Sequence, residues 1–167
     1  LGYRPLREFL SAKLKGHAAI DCSPDEILIT SGSLQGLDLV NSLLLGKGDT
    51  ILIEKETYGG ALTRLAKFGV NIEGIPLDDG GLRIDAVWAK LEELKKKGIT
   101  PKYIYTIPTV QNPTGSIMPV ERRKELIALA REYRTMIFED EGYSDLVWSG
   151  KRPPSIYSLD RKSTRLN

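Results

Sequence analysis

Tyr103-Ile104-Tyr105-Thr106-Ile107, followed after three residues by Gln111-Asn112-Pro113-Thr114-Gly115, is the stretch whose reading decides the fold. The first five residues form an apolar, aromatic and β-branched run of strand length. In the turn, an Asn before Pro is biased to extended backbone and Thr-Gly closes a tight reversal. From about Pro119 to Arg134 the apolar positions, among them Leu126, Ile127, Ala130 and Tyr133, recur at helical spacing. The turn therefore lies at the carboxyl end of a buried strand, where open α/β sheets place ligands. Its Asn112 side chain is expected to project over the sheet edge, although such a pentapeptide also serves as an ordinary turn.

The same alternation extends in both directions. Leu6, Phe9, Leu10 and Leu14 mark a first amphipathic helix, with Pro5 in its first turn and Gly16 as its expected end. Glu26-Ile27-Leu28-Ile29-Thr30 reads as a strand, leading through Ser31-Gly32-Ser33 into a helix that ends at Gly46. Thr50 to Ile53 is a strand followed by a helix to Phe68, capped by Gly69. Val70 to Ile75 is another strand, and Asp85 opens a helix through Val87, Trp88, Leu91 and Leu94. Thr135 to Phe138 is the last strand, running into Glu139-Asp140-Glu141-Gly142-Tyr143. Strands and helices alternating with crossovers this long predict an α/β fold, a mostly parallel sheet with helices on both faces.

With 167 residues and a formal net charge of +2, the chain can build one globular domain or a large part of one. Lys and Arg are interspersed with Asp and Glu, and the Lys95-Lys96-Lys97 run sits where cations suit a helix carboxyl end. No nucleic-acid or membrane partner is predicted. The single Cys22 cannot form an internal disulfide and no apolar run has signal-peptide or spanning length, so a cytoplasmic setting is expected. The chain opens on Leu1 within a helix-entry pattern and closes on the polar stretch Arg161 to Asn167. It is expected to be a fragment, with 1–159 a partial domain and 160–167 a tail whose native origin is left open.

Four loops between strands and helices are expected along one sheet edge, and each admits two readings. Ser31-Gly32-Ser33-Leu34-Gln35 offers hydroxyls and amide donors at a helix amino terminus, either an anion seat or an N-cap by Ser33. Tyr58, beside Gly59 and Gly60, either lays its ring against a planar ligand or packs in a surface turn. Asp140 follows the apolar Ile137-Phe138, so its carboxylate needs a cationic or hydrogen-bonding partner. With Tyr143 three positions on, it is either part of a binding site or an acidic cap beside a core tyrosine. His17, just past the expected helix end, reads as a solvent-facing cation.

Together these loops hold a phosphate seat, a stacking ring, an amide and a desolvated acid. Asn112-Pro113-Thr114-Gly115 and Asp140 through Tyr143, at this separation, make the chain similar to the large domain of the fold type I pyridoxal-phosphate-dependent aminotransferases. These form the class I/II group of the aspartate aminotransferase superfamily. The resemblance runs from about Gly2 to Ser158 and is greatest to the branch containing 2-aminoadipate and kynurenine aminotransferases. It implies pyridoxal 5'-phosphate as cofactor, with Ser33, the Leu34 amide and Gln35 on its phosphate and Tyr58 stacked on its ring. Asn112 and Tyr143 would bond its phenolic oxygen, and Asp140 would pair with its ring nitrogen. It further implies an amino acid and a 2-oxo acid as substrates, and a homodimer.

The sequence departs from that family in two places. The Ser-x-Ser pattern before the Schiff-base lysine is absent, as is the far arginine for the substrate carboxylate. Lys151, in a Gly-Lys-Arg-Pro turn, and Lys162, in the polar tail, lie in the wrong context. No catalytic residue is therefore assigned, and the 167 residues alone are expected to be inactive, lacking nucleophile, acid/base and a smaller second domain. Two alternatives share the same residues: a ligand-sensing domain behind the winged helix of a transcriptional regulator, and a lyase or decarboxylase using the same cofactor. A dinucleotide-binding domain is disfavoured because no Gly-x-Gly-x-x-Gly or Walker-type Gly-Lys-Ser/Thr occurs.

Overall fold

The computed structural model describes residues 1–148 and 150–164, with side chains through Asp160. Helix α1 (Arg4–Ala18) precedes α2 (Ser33–Leu44), and strand β1 (Thr50–Glu54) leads to α3 (Gly59–Leu65). Strand β2 (Asn71–Ile75) is followed by a short hairpin, β3 (Leu77–Asp78) and β4 (Gly81–Leu82), and then by α4 (Ile84–Lys96). Strand β5 (Tyr103–Thr106) leads to α5 (Val120–Glu132), and β6 (Met136–Glu139) to α6 (Ile156–Thr164). Four strands make one sheet in the order β2-β1-β5-β6, every pairing parallel.

Side chains alternate across the sheet as the pleat requires. Ile51, Ile53, Tyr103, Tyr105 and Phe138 point into a core under α2 and α3. Leu52, Ile104 and Ile137 point the other way, into a core with residues of α4, α5 and α6. Both faces of β1 and β5 are covered, which explains why these strands read as continuous apolar runs. The chain passes from β1 outward to β2, then returns across β1 to β5 and continues to β6. The strand order thus reverses direction between β1 and β5, and such a switch point opens a crevice at the carboxyl ends.

Three expectations need correction. Residues 26–30 do not form a strand: Pro24–Glu26 is a 3-10 turn, and the extended segment after it joins no ladder of the described residues. Its Ile29 N–H donates to the Leu1 carbonyl at 3.0 Å, and a strand exists only by pairing with a neighbour. Helix α1 runs through Gly16 and ends at Ala18, with Ala19 in the left-handed region (φ 55°). An interior glycine costs only about 1 kcal/mol and does not by itself stop a helix. The β3–β4 hairpin was not anticipated; the Arg122 guanidinium ties its Asp78 to α5 at 2.5 Å. Helix α6 also enters the stretch expected as a tail, of which 165–167 lie outside the described residues.

Candidate functional site

Where β1 meets β5, a buried carboxylate joins the two loops. Glu54, the last residue of β1, accepts the Thr106 hydroxyl at 2.6 Å and the Ile107 N–H at 2.9 Å on Oε1. Its Oε2 accepts the Gln111 amide at 2.9 Å and the Thr57 hydroxyl at 3.4 Å. Burial pushes the Glu54 carboxyl up, and the bonds from Gln111, Thr106, Ile107 and Thr57 oppose that shift. The Gln111 amide also donates to the Glu56 carbonyl at 2.7 Å, while its Oε1 accepts the N–H and hydroxyl of Thr114. One glutamine therefore shapes its own turn and pins that turn to the loop carrying Tyr58.

Tyr58 stands at the N-cap position of α3, half-buried against the α2–α3 side of the core. Its ring covers Gly60, where an added Cβ would fall 2.4 Å from Cζ and 2.5 Å from the hydroxyl. Gly60 is thus needed to seat the ring, whereas a Cβ at Gly59 would meet nothing within 4 Å.

The structure brings Asn112 and Tyr143 together, the Asn112 Nδ2 donating to the Tyr143 hydroxyl at 3.4 Å. Asp140 extends the ladder one residue past β6, its N–H donating to the Thr106 carbonyl at 2.9 Å. Its Oδ2 accepts the Tyr105 hydroxyl at 2.6 Å, and Oδ1 accepts the Gly142 N–H at 3.2 Å. The turn that returns Tyr143 toward Asn112 continues into a 3-10 turn at Ser144–Leu146. Burial pushes the Tyr105 hydroxyl far up, with Asp140, Glu54 and Tyr58 adding to the shift, so all three acidic groups act on it.

A second buried node sets the spacing of these loops. Arg123 of α5 is wholly buried and donates to the carbonyls of Met118 (2.9 Å), Pro108 (2.8 Å) and Pro154 (3.2 Å) and to the Thr109 hydroxyl (2.9 Å). Thr109 in turn donates to Glu141 at 2.9 Å, and Arg152 pairs with the same carboxylate at 3.0 Å. Burial lowers the Arg123 pKa, opposed by the nearby charges of Glu141 and Glu139.

Ser33, Leu34 and Gln35 form the first turn of α2, behind Gly32 at the N-cap (φ +80°). Ser33 is not the cap. The Gln35 side chain is engaged within the loop, its Oε1 accepting the Ser31 N–H at 2.6 Å, which leaves its backbone amide as the group that can meet an anion. Leu34 packs into the same cluster as Tyr58 and Phe138. Lys151 is exposed, and the side chain of Lys162 lies outside the described residues. The exposed His17 sits in the basic last turn of α1, with Nδ1 3.1 Å from the Lys13 carbonyl oxygen.

Sequence reasoning missed Glu54, Arg123 and Tyr105. Glu54 carries the signal that singled out Asp140, an acid directly after an apolar strand, and could have been found by it. Arg123 sits in a helix turn that reads as polar surface, and Tyr105 in a run that reads as plain core, so neither had a local signal.

A doubly wound parallel α/β layer with polar loops gathered at its switch point is the class the fold and site define. Residues 2–166 match the family described as Aminotransferase class I and II, and the chain belongs to that family. It is 40% identical over 161 residues to aromatic-amino-acid aminotransferase 1 of Thermococcus litoralis, covering 96% of this chain and 39% of that protein. The uncharacterized HTH-type transcriptional regulator YisV of Bacillus subtilis is 38% identical over 165 residues, 99% of this chain and 33% of that protein. The structure matches Pyrococcus horikoshii kynurenine aminotransferase, solved in complex with PMP, with a TM-score of 0.91 and 41% identity, over 96% of this chain and 40% of that one. The chain thus spans 33–40% of the length of these relatives. No helix among the described residues is long and apolar enough to cross a membrane.

Proposed function

We propose that this chain is the partial cofactor-binding large domain of a pyridoxal-phosphate-dependent aminotransferase, which exchanges an amino group between an amino acid and a 2-oxo acid. The observation that carries the reading is the meeting of Asn112 with Tyr143 next to Asp140, at the switch point of the sheet. The donor set suits the cofactor: two neutral donors for a phenolate oxygen, one carboxylate for a pyridinium, and helix-end amides with a hydroxyl for a phosphate. Tyr58, laid over Gly60, supplies the flat apolar wall.

In this reading the Ser33 hydroxyl and the Leu34 and Gln35 amides hold the phosphate, Tyr58 stacks on the ring, and Asn112 and Tyr143 bind the phenolic oxygen. Asp140 keeps a proton on the ring nitrogen by placing a negative charge beside it. When bound, the protonated cofactor supplies an electron sink for the amino acid's α-carbon. The covalent lysine and the carboxylate-binding arginine are assigned to sequence outside these residues. A cytoplasmic homodimer is part of the same proposal, supported by the family resemblance.

The test is amino transfer to a 2-oxo acid by the full-length protein, with and without added pyridoxal phosphate. Asp140→Asn should keep the fold and lose most turnover; near-normal rates would remove Asp140 from the ring nitrogen. The similarity to YisV favours one second reading, a ligand-sensing domain of a regulator. Cofactor binding without amino transfer, together with binding of specific DNA, would select it. Release of a decarboxylated or eliminated product would instead mark a lyase.

A further inference from the structure

We propose that Tyr105 is the positioning residue for the ring-nitrogen carboxylate: its buried hydroxyl holds Oδ2 of Asp140, fixing the orientation in which Asp140 meets the cofactor. The inference rests on the reading of Asp140 given above. Tyr105 lies on β5 and Asp140 just past β6, on adjacent parallel strands whose register pairs Tyr105 with Phe138. The hydroxyl reaches the half-buried carboxylate at 2.6 Å, and the tyrosine is 1% exposed, so the donor side of that bond is shielded from solvent.

Two features make the contact directional. The Tyr105 ring is clamped edge-to-face against Phe138, with centroids 5.6 Å apart and planes at 82°, so the hydroxyl has little freedom. Burial first, and Asp140 next, push its ionisation far above the ordinary tyrosine range, so it is a donor at every working pH. A hydrogen bond donated to a carboxylate stabilises its charge. The Gly142 N–H holds the other oxygen at 3.2 Å, and each oxygen retains acceptor capacity for a cation.

The molecule contains its own control. Tyr103, two residues earlier on the same face, is equally buried and also packs edge-to-face on Phe138, at 5.6 Å and 83°. Its hydroxyl donates to Asn41 of α2 at 2.7 Å and makes no bond to Asp140. Tyr103→Phe and Tyr105→Phe thus remove the same kind of buried hydroxyl from the same environment, and only the second touches the acid.

The experiment uses full-length protein reconstituted with pyridoxal phosphate labelled with nitrogen-15 in the ring. Tyr105→Phe should move the ring-nitrogen resonance toward the unprotonated position, weaken cofactor binding about tenfold, and lower kcat more than it raises KM. Tyr103→Phe should lose similar stability and leave the resonance and cofactor affinity at wild-type values. If the two variants give the same resonance and affinity while Asp140→Asn shifts both, the Tyr105 assignment is overturned and the cofactor reading stands. If the wild-type protein shows no bound, protonated ring, the cofactor reading itself fails and the inference falls with it.

Discussion

The Glu54 carboxylate at the end of β1 accepts the Gln111 side-chain amide of the β5 loop at 2.9 Å, across 57 positions of sequence. The bond closes the floor of the crevice between the two strands where the chain reverses its winding. It also makes the stacking loop and the Asn112 turn one rigid unit, since Gln111 holds both.

Removing that carboxylate strands the Thr106 hydroxyl and the Ile107 N–H, while the Gln111 amide keeps its bond to the Glu56 carbonyl. Glu54→Ala should therefore destabilise the full-length protein by about 2–6 kcal/mol, at roughly 1–3 kcal/mol for each of the two stranded groups before local relaxation. Glu54→Gln turns one acceptor into a donor facing other donors and should cost about 1–2 kcal/mol. Urea denaturation midpoints check both; an alanine variant as stable as wild type would show that the network is dispensable.

Arg123 should be among the most sensitive positions of the fold. Breaking a buried charge pair costs roughly 3–5 kcal/mol, and Arg123→Met should lie near the low end because Arg152 still pairs with Glu141. The same variant releases the 108–109 segment from α5, so cofactor affinity should fall in parallel. Equilibrium unfolding and cofactor titration give the two quantities, and loss of affinity without loss of stability would contradict the account.

At Gly60 stability and binding are predicted to separate. Alanine is the better helix former by about 1 kcal/mol in the interior of a helix, yet its Cβ would occupy the place of the Tyr58 ring. Gly60→Ala should change the melting temperature little, since Gly60 lies in the first turn of α3 and the displaced ring gives up core packing, and should weaken cofactor binding about 2- to 10-fold, the worth of a displaced aromatic stack. A variant with unchanged affinity would mean that Tyr58 does not stack.

Glu139 supplies a pH dependence. Burial pushes its carboxyl up to about 7, although it accepts the Ile156 and Tyr157 N–H groups at the start of α6 and lies 3.8 Å from Arg123. Because its folded value lies above the unfolded one, the folded state binds the extra proton between about 4.5 and 7. Stability contributed by this residue is full below about 4.5, falls as pH rises, and is lost above about 7. Glu139→Gln should remove up to about 3 kcal/mol of that slope. Chemical denaturation across this range compares the two proteins, and parallel profiles would refute the assignment.

The fold and the loops of the candidate site were legible because their signals are local. The apolar run at Tyr103–Ile107, the Asn112-Pro113 turn and the acid after Ile137-Phe138 each concern residues within a few positions of one another. Residues 26–30 show the limit of such signals. Their β-branched apolar pattern matches a strand, but pairing depends on what lies beside them, and the described sheet does not reach them. Helix α1 passing through Gly16 is a milder case, in which helix continuation outweighed a weak local stop signal.

By itself, the sequence determined the order of strands and helices, the two-faced covering of the central strands, and the small polar residues carried at their carboxyl ends. Backbone propensity and hydrophobic period act over one or two turns of chain and are written there directly. Only the tertiary structure decided which polar groups became partners. Glu54 with Gln111, Tyr105 with Asp140, and Arg123 with Glu141 are separated by 57, 35 and 18 positions, and burial compels each to find the donor or acceptor that the sheet order places beside it.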